Sequence, residues 1–305
     1  MSKHATSSDY EFRDDPFTGQ TIAIDRSTGE ILRTTSMSII EGSHVFSPQE
    51  WNRRKRFAEE RKEHEHRKAS SRPLGNFLMV SGRGFDELPP ATLTRLVVLA
   101  TFADYDGSLM AGREKPMTRL EAQKILGLSD TAFKQFIRAV IPRFLIERSG
   151  LLYLTDRSTF LRGKLPKGDH VQRWKVYIRA VRHLYNVTDK RQHKFLGYAF
   201  ELLRFINIEY NILCHDVEET DLDLIEPMTL HEFCEAIGHD WNHLNRLLSA
   251  YRQLVFKVDG HLERFVSVVS DGIDRRHARV FVNPHIVYSG SNFRQVQALG
   301  AFSRI

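Results

Sequence analysis

The sequence predicts a mainly α fold with small β-hairpins: two tandem winged helix-turn-helix domains plus an N-terminal extension. Three observations carry this expectation. A stretch of about two dozen residues occurs twice without a gap. Each copy has the punctuation of a helix, a tight turn and a second helix. Each is followed by short apolar runs that end alike.

The repeat starts at Pro116 and at Pro227. Met117, Thr118, Glu121 and Gly127 fall on Met228, Thr229, Glu232 and Gly238. Apolar Leu126, Phe133, Phe136 and Ile137 fall on Ile237, Leu244, Leu247 and Leu248. Threonine three residues ahead of glutamate is capping-box spacing: hydroxyl and carboxylate each satisfy a free N–H at the helix start. The first helix then runs to about Leu126 and about Ile237, where Gly127 and Gly238 supply a left-handed stop. Ser129 or Asp130, and Asp240 in the second copy, can cap the next helix. That helix repeats its apolar residues at helical spacing: Phe133, Phe136, Ile137 and Val140, against Leu244, Leu247, Leu248 and Tyr251. Such a pair is a helix-turn-helix, whose second helix can enter a DNA major groove.

A helical hairpin in an ordinary core carries the same punctuation. The shared ending separates the two readings. Tyr153–Phe160 matches Phe281–Tyr288, and Gly163 and Gly290 follow closely. The apolar runs 143–147 and 262–269 precede them, so each copy reads as closing in a β-hairpin, a wing.

At 305 residues the chain has room for two domains and an extra segment. Hydrophobic content of 41% suits core-forming domains, and a formal charge of +6 favours an anionic partner. The longest apolar runs fall short of the roughly 18 residues a membrane span needs, so no membrane partner is expected. The N-terminus has no apolar signal core. Cys214 and Cys234 make no disulfide framework. These features point to a cytoplasmic location.

Residues 1–72 are expected to be a hairpin and a basic helical arm. Two short strands flank a turn at Ser27-Thr28-Gly29, and Ser47-Pro48 opens a charged helix. That helix reads either as a solvated one with opposite charges a turn apart or as an arm that neutralises phosphates. Arg53 and Arg54 lie at its more basic end. The first winged-helix domain is expected over 73–167, with Phe77–Val80 as a short apolar run and a helix over Thr92–Tyr105. The second is expected over 168–305. It opens with a helix carrying Val171, Trp174, Tyr177, Ile178, Val181, Leu184 and Tyr185, followed by an apolar helix over Phe195–Ile212 and an acidic loop over Asp216–Glu226.

The polar sides of the second helices supply candidate DNA-binding residues: Thr131, Lys134, Gln135 and Arg138 in copy one, and Asn242, His243, Asn245 and Arg246 in copy two. Arginine suits guanine and asparagine suits adenine. Arg157, Arg162, Lys164 and Lys167, and in copy two Arg275, Arg276 and Arg279, would make the wings basic, as phosphate contacts require. The two faces differ throughout, so the copies should read different sequences.

Cys214, His215, His231, Cys234, His239 and His243 fit no regular zinc-ligand spacing, and no cofactor or metal is expected. His64-Glu65-His66 lacks the strand setting of a metal-dependent nicking site. No phosphate-binding loop or dinucleotide fingerprint occurs, nor a nucleophile triad. The chain is not expected to be an enzyme.

The segment Phe281-Val-Asn-Pro-His-Ile-Val-Tyr-Ser-Gly290 resembles the wing ending of RepL-type plasmid replication proteins, and residues 74–163 resemble their winged-helix core. Copy one carries Thr155-Asp156 where that ending has Asn-Pro. The pattern also resembles MarR-like winged-helix proteins of phages and mobile elements. The resemblance implies double-stranded DNA as partner, alongside replication or transcription proteins, and no strand-cutting chemistry. The expected function is sequence-specific duplex binding by a phage or plasmid protein, as transcription regulator or replication initiator. The alternative is a winged-helix module that docks on a replication or transcription complex.

Overall fold

The computed structural model describes residues 4–6, 10–14, 21–32, 38–41, 44–46, 48–71, 74–155, 157–165, 171–258, 260–270, 278–290, 293–300 and 302. They fall into two compact units, Met1–Lys68 and Ala69–Ile305. In the first, His4–Thr6 pairs parallel with Ser38–Glu41, which pairs antiparallel with His44–Phe46. Tyr10–Asp14, Thr21–Asp25 and Ile31–Leu32 form an antiparallel meander. Its last turn is held by the Asp25 carboxylate, which accepts from Ser27 and Thr28 N–H groups at 2.8 and 3.1 Å. Helix α1, Pro48–Ser71, follows.

The second unit holds α2 (Pro90–Ala100), α3 (Arg119–Leu126), α4 (Asp130–Val140), α5 (Ile178–Val187), α6 (His193–Glu201), α7 (Leu230–Ala236), α8 (Leu244–Gln253) and α9 (Phe293–Gly300). Helix makes up 43% and strand 24% of the described residues, so the fold is mixed α/β. This corrects the expectation of a mainly α winged-helix pair. The strands escaped notice because most span only two to five residues, and short apolar runs have no decisive period. Trp174–Tyr177 shows the cost. Its apolar residues continue the stripe of α5, yet it is a strand with Trp174, Val176 and Tyr177 buried. The helices expected over Thr92–Tyr105 and Phe195–Ile212 also end early, at Ala100 and, beyond α6, in the 3-10 turn Leu202–Phe205.

Beneath these corrections the two copies share a hydrogen-bond skeleton. In copy one, Leu109 N–H donates to Leu152 O, Met117 N–H to Leu109 O, and Leu154 N–H to Gly107 O. In copy two, Leu213 N–H donates to Val280 O, Met228 N–H to Leu213 O, and Val282 N–H to Asn211 O. Gly107 and Asn211 both take left-handed backbone, φ 91° and 54°. The match continues from Thr155 N–H on Phe144 O to Asn283 N–H on Phe265 O. The extra chain in copy two is a hairpin, Val255–Val258 paired with His261–Arg264, inserted between α8 and the strand Val266–Val269.

The copies meet through α2 and α6. Met110 N–H donates to Phe102 O, and Cys214 N–H donates to Phe205 O, which aligns α2 with α6. On that alignment Thr94 matches Gly197 and Pro90 matches His193. The Thr94 hydroxyl donates to His193 O at 2.7 Å. Reciprocally, Gly197 lies on Pro90, whose carbonyl oxygen is 2.0 Å from where a Cβ would stand. Contacts that exchange in this way mark an approximate two-fold, as in a symmetric dimer. The sheet agrees: Phe77–Val80 from copy one and Trp174–Tyr177 from copy two pair antiparallel, flanked by Phe160–Leu161 and bridged to Val287. One hydrophobic core runs through both copies.

Candidate nucleic-acid interface

Both helix-turn-helix units begin with the expected capping box. Glu121 accepts from Thr118 N–H at 2.8 Å, and Glu232 from Thr229 N–H at 2.7 Å. Lys115 first, and then the Thr118 N–H, hold the Glu121 carboxyl down at about 2. The Thr229 N–H and hydroxyl hold Glu232 low as well. Gly127 and Gly238 take φ 60° and 64°, and neither conformation suits a residue with a side chain. Ser129 caps α4. Asp240 caps a 3-10 turn, Trp241–His243, and α8 starts only after it.

In α4, Phe133, Phe136, Ile137 and Val140 are buried, while Thr131, Lys134, Gln135 and Arg138 are exposed. Neither Lys134 nor Arg138 pairs with a described carboxylate, so both charges face solvent. In α8, Leu244, Leu247, Leu248, Ala250 and Tyr251 are buried, and Asn245, Arg246, Ser249 and Arg252 are exposed. Asn242 and His243 are exposed too, but they stand in the preceding 3-10 turn. The Asn242 amide donates to Asp240 at 3.0 Å, and His243 lies 3.8 Å from the same carboxylate. Both are tied to the helix start, so of the four residues expected to face DNA in copy two only Asn245 and Arg246 stand on α8 proper.

The copy-one hairpin is tighter than expected. Leu145–Arg148 pairs with Leu151–Leu154 across a two-residue turn at Ser149-Gly150, both with positive φ, the favoured geometry for such turns. Arg157, Arg162 and Lys164 therefore lie after the hairpin, away from its tip. Arg162 is structural: it donates to Ala103 O at 2.7 Å and stacks over Tyr105. Arg157 and Lys164 are exposed. Arg148, which no motif singled out, sits beside the tip over the Tyr153 ring. Lys167, Arg275 and Arg276 lie outside the described residues. Arg279 is exposed at the start of its strand. Arg53 and Arg54 are exposed on α1, in the first unit.

Two further side chains brace the turn of copy one. The Tyr185 hydroxyl donates to Leu126 O at 2.9 Å, and Lys190 Nζ donates to Gly127 O at 2.8 Å. Both satisfy carbonyls that a helix end leaves open. Sequence reasoning missed them because they come from α5 and the turn after it, far along the chain.

The acidic 216–226 segment is a tied loop. Asn207 donates to Glu219 O at 2.7 Å, and the Tyr210 hydroxyl to Thr220 O at 3.1 Å. Its carboxylates at Asp216, Glu218, Asp221 and Asp223 are exposed. Burial pushes the Cys214 thiol up to about 12 and Cys234 up to about 11. Among the described residues, no group of three or more histidine, cysteine or acidic side chains could hold a metal ion, and no helix is long and apolar enough to cross a membrane. No family model, curated protein or solved structure matches this chain.

Proposed function

We propose that the chain is a sequence-specific double-stranded DNA-binding protein in which α4 and α8 each read one half-site. The supporting observation is the pairing of like frameworks with unlike faces. The two units share caps, turns and sheet hydrogen bonds, and they meet about an approximate two-fold. Their outward faces carry Thr131, Lys134, Gln135 and Arg138 on one side, and Asn245 and Arg246 on the other. A dimer with two identical reading helices matches a palindrome. A fused pair with different helices matches an imperfect one and needs no second chain. Linking the readers also raises affinity through effective concentration. On this reading the protein acts as a transcription regulator or a replication initiator.

The test is selection of bound duplexes from a random pool, followed by titration of the enriched duplex across salt concentrations. A steep fall of affinity with salt is expected, because phosphate neutralisation releases counterions. No enrichment over random duplex would reject base reading.

A second reading has an observation of its own. Leu222 and Leu224 on the acidic loop are 39% and 65% exposed. Leu222 lines a cavity of about 320 Å³ together with Tyr210, Ile212, Asp223, Phe281 and Arg279. Exposed leucines among carboxylates suit docking on a basic protein surface of a replication or transcription complex. Binding to such a protein that survives Leu224→Asp would remove this reading.

A further inference from the structure

Two parts of copy two have no counterpart in copy one. One is α5, where copy one has only the 3-10 turn Phe85–Glu87. The other is the inserted hairpin 255–264. They pack against each other and, with Leu74 and His285, enclose a cleft of about 330 Å³. Arg179 and His183 enter it from successive turns of α5, and Lys257 from the hairpin strand. Among the described residues no carboxylate lines it, and none of these three makes an ion pair with a described residue. Phe256 and Leu74 supply apolar wall.

The carboxylate behind the cleft is already committed. Glu263 Oε2 lies 2.8 Å from His285 Nδ1 and accepts from Asn283 Nδ2 at 2.9 Å. Burial alone would raise Glu263, but the bonds from His285 and Asn283 hold it low. An ionised Glu263 takes the Nδ1 proton of His285 as a hydrogen bond and fixes the ring, leaving Nε2 outside that pair. Like charges set around a cleft repel unless an anion joins them, and a cleft of this size suits a small ligand that is part apolar and part charged.

We propose that this cleft binds a phosphate group, with Arg179 and Lys257 taking its charge and Phe256 flanking the attached moiety. The phosphate could come from a free phosphomonoester or from a nucleic-acid backbone, and the same chemistry serves both. The proposal does not rest on base reading by α4 and α8.

The experiment titrates the full chain calorimetrically with AMP and with inorganic phosphate, and separately with a mixed-sequence duplex at two salt concentrations. The parent is compared with the Arg179→Ala/Lys257→Ala double variant and with Lys257→Glu. A free ligand is indicated if AMP or phosphate binds the parent and affinity falls at least about tenfold in both variants. A backbone contact is indicated if only duplex affinity falls and its salt dependence flattens, since each lost phosphate contact lowers that slope. Equal melting temperatures of parent and variants confirm that the fold is kept. If the parent binds none of the three, or the variants bind all of them as the parent does, the proposal is overturned. Should no duplex bind at all, the AMP and phosphate titrations decide it alone.

Discussion

Copy one runs from α4 through a short turn into its sheet; copy two inserts the hairpin 255–264 at the same point. Copy one buries Val98 in its central helix where copy two buries Glu201. Copy one places Thr94 at the α2–α6 crossing where copy two places Gly197. The sheet hydrogen bonds made by Leu109, Met117, Leu154 and Thr155 nevertheless have counterparts at Leu213, Met228, Val282 and Asn283. The difference teaches that the backbone framework tolerates change in its periphery and in single core side chains, while the Thr–Glu capping boxes, the turn glycines and the central sheet bonds are held. The copies differ most on the exposed faces of α4 and α8, and in the elements that only one copy has.

The crossing should give the largest effect. A methyl at Gly197 would stand 2.0 Å from Pro90 O, so backbone must move. Gly197→Ala is expected to lower unfolding free energy by about 3 kcal/mol or more. Thr94→Ala at the matching place should cost about 1 kcal/mol, the worth of one hydrogen bond. Urea titration of both variants measures the contrast, and equal losses would break the two-fold alignment.

The reading faces come next. Arg138→Ala and Arg246→Ala should each weaken the selected duplex by about 1–3 kcal/mol, with specificity relaxed at different base positions. Loss of preference at the same position in both would show that the copies do not read separately.

Glu201 sharpens the comparison further. Burial, the largest influence, raises its carboxyl to about 7 against an ordinary 4.5, partly opposed by Arg204. The folded state therefore holds a proton that the unfolded state releases as pH climbs past 4.5. Stability should fall between about pH 4.5 and pH 7, and then level off. Glu201→Gln should remove that decline, gaining about 3 kcal/mol at pH 8 and little at pH 4.5. Urea midpoints at the two pH values measure it, and an equal shift at both would refute the buried-carboxyl account. The smallest effect belongs to the brace. Tyr185→Phe removes one hydrogen bond to Leu126 O, about 1 kcal/mol. It should speed amide exchange around Gly127 and leave Gly238 unchanged.

Much of this was legible in the sequence where the cause is local. Thr118 with Glu121 and Thr229 with Glu232 encode their caps within four residues, and Gly127 and Gly238 encode their stops. The apolar spacing of α4 and α8 named the buried faces correctly. What stayed hidden depends on distant chain. Trp174–Tyr177 is a strand because Phe77–Val80 lies beside it, and its apolar run alone suits a helix equally well. Arg162 looked like a phosphate contact until Ala103 O claimed it. Asn242 and His243 looked helical because Asp240 can cap either an α-helix or a 3-10 turn. The mixed α/β character came from many such short strands.

The most direct test of the central claim is to determine the duplex selected by the full chain together with the mass of the complex. Two dissimilar half-sites in inverted orientation, their centres spaced by whole helical turns of about 10 base pairs and occupied by one chain, are the expected result. A perfect palindrome occupied by two chains, or a pool that never enriches, would contradict it.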